Sequence, residues 1–199
     1  MRVRRLHLIF APLLLTACGD HSTPSSDALV QPAPSAVGPA TTGNVATFLP
    51  YQPGATAITY NPAVVPVGAK ATVTTNQSTA GVTVRLSVAG MIPRRAYGAH
   101  LHTMACSELP DAAGPHLQHS ADPTKPSVDP DYANPGNEVW LDFTADALGA
   151  ASVASVHTWR FDEGRPPRSL IIHEQLTRTG EGVAGTAGAR VACLTLPSP

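Results

Sequence analysis

The sequence predicts an all-β domain, an antiparallel sandwich or barrel of about eight strands. Short segments rich in β-branched residues, or alternating in polarity, recur from residue 56 to residue 196. No segment sustains a helical apolar period, and 20 prolines scattered along the 199 residues disfavour helices further. Between the segments stand turn signals such as Ala89-Gly90 and Leu148-Gly149.

The first segment, Thr56 to Tyr60, is β-branched and aromatic, and Ala71 to Thr75 is mostly Val and Thr. Val82 to Val88 alternates strictly, with Val82, Val84, Leu86 and Val88 on one face and Thr83, Arg85 and Ser87 on the other. Tyr97 to His102, Glu138 to Thr144 and Ser152 to Trp159 follow as further segments with β-branched enrichment or alternation. Leu170 to Glu174 and Ala189 to Leu196 complete the set. Between Thr103 and Gly136 lies a Pro- and Asp-rich stretch with no strand pattern. A structureless loop of that length inside a compact domain needs a functional reason or a staple.

The N-terminus has a different character. Residues 1–17 combine a basic start at Arg2, Arg4 and Arg5 with an apolar run from Leu8 to Leu15, too short to span a bilayer. This is the layout of a signal peptide. It ends in Leu15-Thr16-Ala17-Cys18, which resembles a bacterial lipobox and so predicts lipidation of Cys18 and export to a membrane surface. Residues 18–53 are dense in Pro, Ser, Thr, Ala and Gly, have little apolar surface to offset ordering entropy, and read as a tether. Residues 54–199 read as the β domain. The net charge of −1 and the lack of a basic run beyond the signal exclude nucleic acid as a partner.

Three cysteines are an awkward number for an exported chain. With Cys18 lipidated, Cys106 and Cys193 remain as a pair in an oxidising compartment. Their bridge would pin the long loop.

Five of the 8 histidines fall in three places: His100 and His102 in an alternating segment, His116 and His119 in the long loop, and His173 at the end of an apolar segment. Residues two apart on a strand share a face, so His100 and His102 make a ready pair of ligands while Leu101 points away. Such a pair alone is more often a polar strand face than a pair of ligands. Several imidazoles from separate segments suit copper, and zinc also. Composition and spacing lead to a transition-metal site and no further.

The motifs are more specific. Gly98-Ala99-His100-Leu101-His102, Cys106, Gly114-Pro115-His116, Ile172-His173-Glu174 and Ala187-Gly188-Ala189-Arg190-Val191-Ala192-Cys193 stand in the order found in copper/zinc superoxide dismutases. From about Val67 to Leu196 the chain resembles that family. The resemblance implies a Greek-key β-sandwich or flattened barrel. It implies copper held by His100, His102, His116 and His173, an intrasubunit disulfide between Cys106 and Cys193, and Arg190 as the cation that attracts superoxide. A homodimer is among the assemblies it allows.

The chain also departs from the family pattern. His119 follows the bridging position His116 by only three residues, and no histidine stands between His119 and Glu138. A zinc carboxylate would be Asp129, Asp131 or Asp142, with nothing to choose among them. No aspartate stands between His173 and Arg190, and that segment is short. Zinc in a structural site takes four protein ligands, so the zinc site reads as incomplete and a copper-only variant is favoured, with His119 the candidate should zinc bind. The outer nitrogen of His116 would then need another partner, for which Asp111, Asp129 or Asp131 could serve. Two other readings stand beside the enzyme: a copper-binding lipoprotein without catalysis, and a metal-free sandwich.

Overall fold

A computed structural model describes residue 43 and residues 45–197. The strands are β1 (Ala46–Thr47), β2 (Ala57–Thr59), β3 (Lys70–Ser78), β4 (Gly81–Ala89), β5 (Ala96–His102), β6 (Phe143–Thr144), β7 (Ala151–His157), β8 (Ser169–His173) and β9 (Arg190–Thr195). They form two sheets, in the orders β1-β3-β4-β7 and β2-β9-β8-β5-β6. Every strand pair is antiparallel. Neighbours such as β4 and β7, or β5 and β8, are far apart in sequence, so the chain crosses repeatedly between the sheets. The only helical element among the described residues is one 3-10 turn, Pro110–Ala113. None of their helices is long and apolar enough to cross a membrane.

Alternation sets what the sheets enclose. Val82, Val84, Leu86 and Val88 of β4 face Tyr97, Ala99 and Leu101 of β5, Leu170 and Ile172 of β8 and Val191 of β9 in one continuous core. Each large side chain buried there contributes about 1.5–3 kcal/mol relative to exposure. Tyr97 and Phe143 stack at 5.0 Å, and the Tyr97 hydroxyl donates to the Val64 carbonyl at 2.8 Å, so the buried phenol is satisfied.

Two expectations need correction. The domain starts before residue 54: Ala46 and Thr47 pair with β3, and Phe48 is fully buried. A strand of two residues is too short to show alternation, so its sequence is indistinguishable from the Pro-, Ser- and Ala-rich tether before it. The segment Glu138 to Thr144 is regular only at Phe143–Thr144. Upstream its backbone divides its pairing, with Leu141 N–H bonding to Ala99 of β5 while Glu138 bridges to Gln118 of the long loop. Cys18 and the rest of residues 1–42 lie outside the described residues.

The long loop is stapled. Cys106 and Cys193 form a disulfide across 87 residues, joining the loop to β9. Ala113 of the 3-10 turn packs with Ile171 and Cys193 in a small second core, so the outer face of β8 and β9 is covered as well. Arg190 reinforces the staple. Its Nη1 donates to the Pro110 carbonyl at 3.1 Å and its Nη2 to the Gly114 carbonyl at 2.8 Å.

Candidate metal centre

On β5 the period of two sends Tyr97, Ala99 and Leu101 into the core and turns His100 and His102 to the opposite face. His116 arrives from the long loop and is held to His102 by an isolated antiparallel bridge. His173 ends β8 opposite Gly98 of β5, two positions from His100. Gly98 is required there: a Cβ would lie 2.6 Å from the Gln175 carbonyl oxygen and 2.8 Å from the Ala187 Cβ, so any side chain would push away the segment that roofs the site. The outcome is a cluster in which each of the four imidazoles offers one nitrogen, all within 4.8 Å of one another.

The hydrogen bonds assign the tautomers. His102 Nδ1 faces the Gly114 carbonyl at 2.9 Å and His173 Nδ1 the Gly188 carbonyl at 3.4 Å; a carbonyl only accepts, so both Nδ1 atoms carry protons. His100 Nε2 lies 2.6 Å from the Thr177 hydroxyl, which itself donates to Asp142 Oδ1 at 2.8 Å, so Nε2 is the donor there too. What remains is His100 Nδ1, His102 Nε2 and His173 Nε2, all buried and without a hydrogen-bond partner. Three buried lone pairs left bare would be costly in a finished core, and they are the atoms a metal would take.

Burial holds these rings neutral. Desolvation drives His100 and His102 well below the ordinary imidazole range and His173 to about 3, with the other imidazoles and the Arg190 charge adding to the effect. A neutral imidazole is the form that ligates.

His116 Nδ1 donates to Glu138 Oε2 at 2.6 Å. Glu138 is 1% exposed and fully engaged: Oε2 also accepts from the Trp140 indole at 2.8 Å and Oε1 from the Gln118 amide at 2.8 Å. The partner of His116 is therefore Glu138, and none of Asp111, Asp129 and Asp131. Asp129 accepts from the Asp131 N–H at 2.8 Å and shapes its own turn, Asp131 is exposed, and Asp111 Oδ1 lies 3.7 Å from Arg190 Nε. Asp142 does not turn toward His116 either. It accepts from the Ala99 and Thr177 N–H groups at 3.1 and 2.7 Å and orients the hydroxyl behind His100.

His119 lies apart. It is exposed and stacks on Trp159, with ring centroids 4.9 Å apart and planes 6° from parallel, and it is not among the four clustered imidazoles. The three-residue spacing from His116 carries it past the site, since His119 N–H bonds to the Asn137 carbonyl at 2.8 Å on the far side of the loop's pairing with Glu138. Arg190, in contrast, is close: the Gly114 carbonyl that accepts from its Nη2 also accepts from His102. Its side chain is 20% exposed, and burial lowers its pKa against the opposing pull of Asp111.

Glu138, Asp142 and Thr177 are what the motif reading missed or left undecided. A signal for two of them lay in the alternation of residues 138–143. Val139, Leu141 and Phe143 enter the core, which puts Glu138, Trp140 and Asp142 on the face that carries the histidines. Thr177, in an irregular loop, left no such trace.

Two antiparallel sheets around one core, with four imidazoles gathered on the outer face of the second sheet, define a metal-binding β-sandwich. Residues 67–195 match the family described as copper/zinc superoxide dismutase (SODC), and the chain belongs to that family. A solved copper/zinc superoxide dismutase from Brucella abortus has a similar fold, at 20% identity and a TM-score of 0.52, with 80% of this chain and 100% of that one covered. A double mutant of a superoxide dismutase-like protein from Bacillus subtilis also matches, at 21% identity and a TM-score of 0.45, over 62% of this chain and 86% of that one. Among curated proteins none matches the chain.

Proposed function

We propose that the domain binds one copper ion through His100 Nδ1 and the Nε2 atoms of His102, His116 and His173, and dismutates superoxide to oxygen and hydrogen peroxide. The observation that carries the reading is the set of buried imidazole nitrogens left without partners and pointing into one cluster. Copper bound there would supply the one-electron exchange, accepting an electron from one superoxide and returning it to a second as two protons arrive. The chain's own work is to keep His100, His102 and His173 neutral and all four imidazoles aimed. Gly114, Gly188 and the Thr177 hydroxyl hold three of them by the outer nitrogen, and Glu138 holds the fourth. Arg190, permanently charged and anchored beside His102, attracts the anion.

Two observations support copper without zinc. The outer nitrogen of His116, where a second metal would bind, already donates to Glu138, and His119 stands outside the cluster. The sequence layout of residues 1–45 supports an exported domain tethered to a membrane through lipid on Cys18.

The test is superoxide consumption by the copper-loaded chain, alongside metal content. Catalytic turnover with copper alone, slowed by added salt and by Arg190→Gln, is the expected result. Stoichiometric copper with no turnover would establish instead the reading of a copper-binding lipoprotein without catalysis. Stoichiometric zinc, with activity lost on its removal, would overturn the copper-only assignment.

A further inference from the structure

A separate cavity of about 330 Å³ opens between the long loop and the segment that leads into β8. Three cations line it, Lys125, Arg165 and Arg168, and no carboxylate does. Of the four clustered imidazoles only His116 reaches its wall, and Arg190 is not part of it, so the cavity is distinct from the place where Arg190 meets an incoming anion.

Arg168 is the informative residue. Its Nε is buried with no hydrogen-bond partner among the described residues, and its guanidinium is absent from their ion pairs. A buried guanidinium donor left unpaired is destabilising, and the planar fork matches a carboxylate or phosphate at two points. Arg165 does have a partner, Asp162, at 3.3 Å, but both side chains are more than half exposed, so that pair is weak and easily exchanged. Lys125 adds a third charge on the rim. Much of the remaining wall is apolar, from Pro115, Leu117 and Pro166. The volume lies at the lower end of the roughly 300–1,000 Å³ typical of small-molecule sites.

We propose that this cavity binds a small organic oxyanion, its charged head on Arg168 between Lys125 and Arg165 and its carbon body against Pro115, Leu117 and Pro166. A phosphate monoester and an aromatic dicarboxylate share this chemistry. The bound molecule touches His116, one of the rings of the metal centre, while leaving the approach beside Arg190 open.

Calorimetry of the full chain with phenyl phosphate, phthalate, inorganic phosphate and benzyl alcohol tests the site and separates the two head groups. One of the two organic anions should bind one per chain, at least about tenfold tighter than inorganic phosphate or benzyl alcohol, and should shift the His116 ring resonances. Arg168→Gln should weaken binding by roughly tenfold or more, as expected for one charge-assisted contact. Because Arg168 is partly buried, the exposed pair Lys125→Gln/Arg165→Gln serves as a second variant that leaves the core untouched, and it should weaken binding severalfold. Failure of both organic anions to bind at millimolar concentration, affinity unchanged in the two variants, or equal affinity for inorganic phosphate would each overturn the proposal.

Discussion

Each imidazole of the cluster has its free nitrogen decided by the acceptor behind it, and the four acceptors differ in kind. Two are backbone carbonyls, one is a threonine hydroxyl relayed to a carboxylate, and one is the buried carboxylate of Glu138. Only the last also receives the Trp140 and Gln118 donors, so it can neither rotate nor leave without stranding them. Glu138→Gln places an amide where a carboxylate accepts three N–H groups, and His116 loses its alignment. Copper affinity, measured by competition with a chelator, should fall by about 10- to 100-fold. Thr177→Val should do the same more mildly, because the hydroxyl behind His100 disappears while the ring stays packed. At Arg190 the expectation differs. Arg190→Gln keeps a donor for the Gly114 carbonyl but removes the charge, so copper stoichiometry should hold while superoxide consumption at low salt drops about tenfold or more and loses its salt dependence. Metal analysis beside initial rates separates the two kinds of effect.

At the scale of elements, strand β5 supplies two ligand candidates from rigid backbone, whereas His116 comes from a loop with little regular structure. That loop is fixed at several points: the disulfide to β9, the Arg190 bonds to Pro110 and Gly114, and the Tyr60 hydroxyl donating to the Ser107 carbonyl at 2.7 Å. Beyond residue 116 the buried carboxylate of Glu138 and the Gln118 amide bind it to residues 138–140, with Ser127 donating to Asp122 at 2.7 Å. In the chain-entropy account a bridge closing a loop of this length stabilises by about 4.6 kcal/mol. Cys106→Ser should therefore lower the thermal midpoint substantially and weaken copper binding with it, because the unpinned loop carries His116. Differential scanning calorimetry of the metal-free and copper-loaded forms checks both parts: the loss should be larger in the copper-loaded form. Free thiols in the native chain would contradict the bridge.

At the scale of the whole molecule, the cluster costs the metal-free domain stability in acid. His100, His102 and His173 are held neutral in the folded state far below the value near 6.5 that they have when unfolded, His173 titrating at about 3. Between those values the unfolded chain binds more protons than the folded one, so stability falls with falling pH through that window and is level above it with respect to these groups. Denaturant midpoints of the metal-free chain should decline steadily from about pH 6.5 downward. Replacing His173 with Gln should flatten the decline. Copper loading should displace the window to lower pH, since metal and proton compete for the same nitrogens. A metal-free domain equally stable at pH 4 and pH 7 would contradict the burial argument.

Much was legible in the sequence because it was local or periodic. Strict alternation marks Val82 to Val88 as a strand with one buried face, and the two-residue spacing of His100 and His102 places them on a common face whatever the sheet does around them. The family motifs lie in short runs, and the disulfide partners were the only cysteines left after Cys18. Tertiary structure decided the rest, because it concerns which distant groups meet. Glu138 lies 22 residues from His116 and Thr177 lies 77 from His100, and nothing in local spacing says which of several loop carboxylates will reach a given ring. The same holds for His119, the candidate should zinc bind, whose short spacing from His116 departs from the family pattern without saying where the ring goes. The loop backbone turns between them, and its bond to Asn137 carries His119 to the side of Trp159. Strand formation and the choice of buried face follow from the side chains of a few adjacent residues, whereas strand pairing and the outer contacts of a metal centre follow from how distant segments and a long loop close, which only the assembled core and its staple determine.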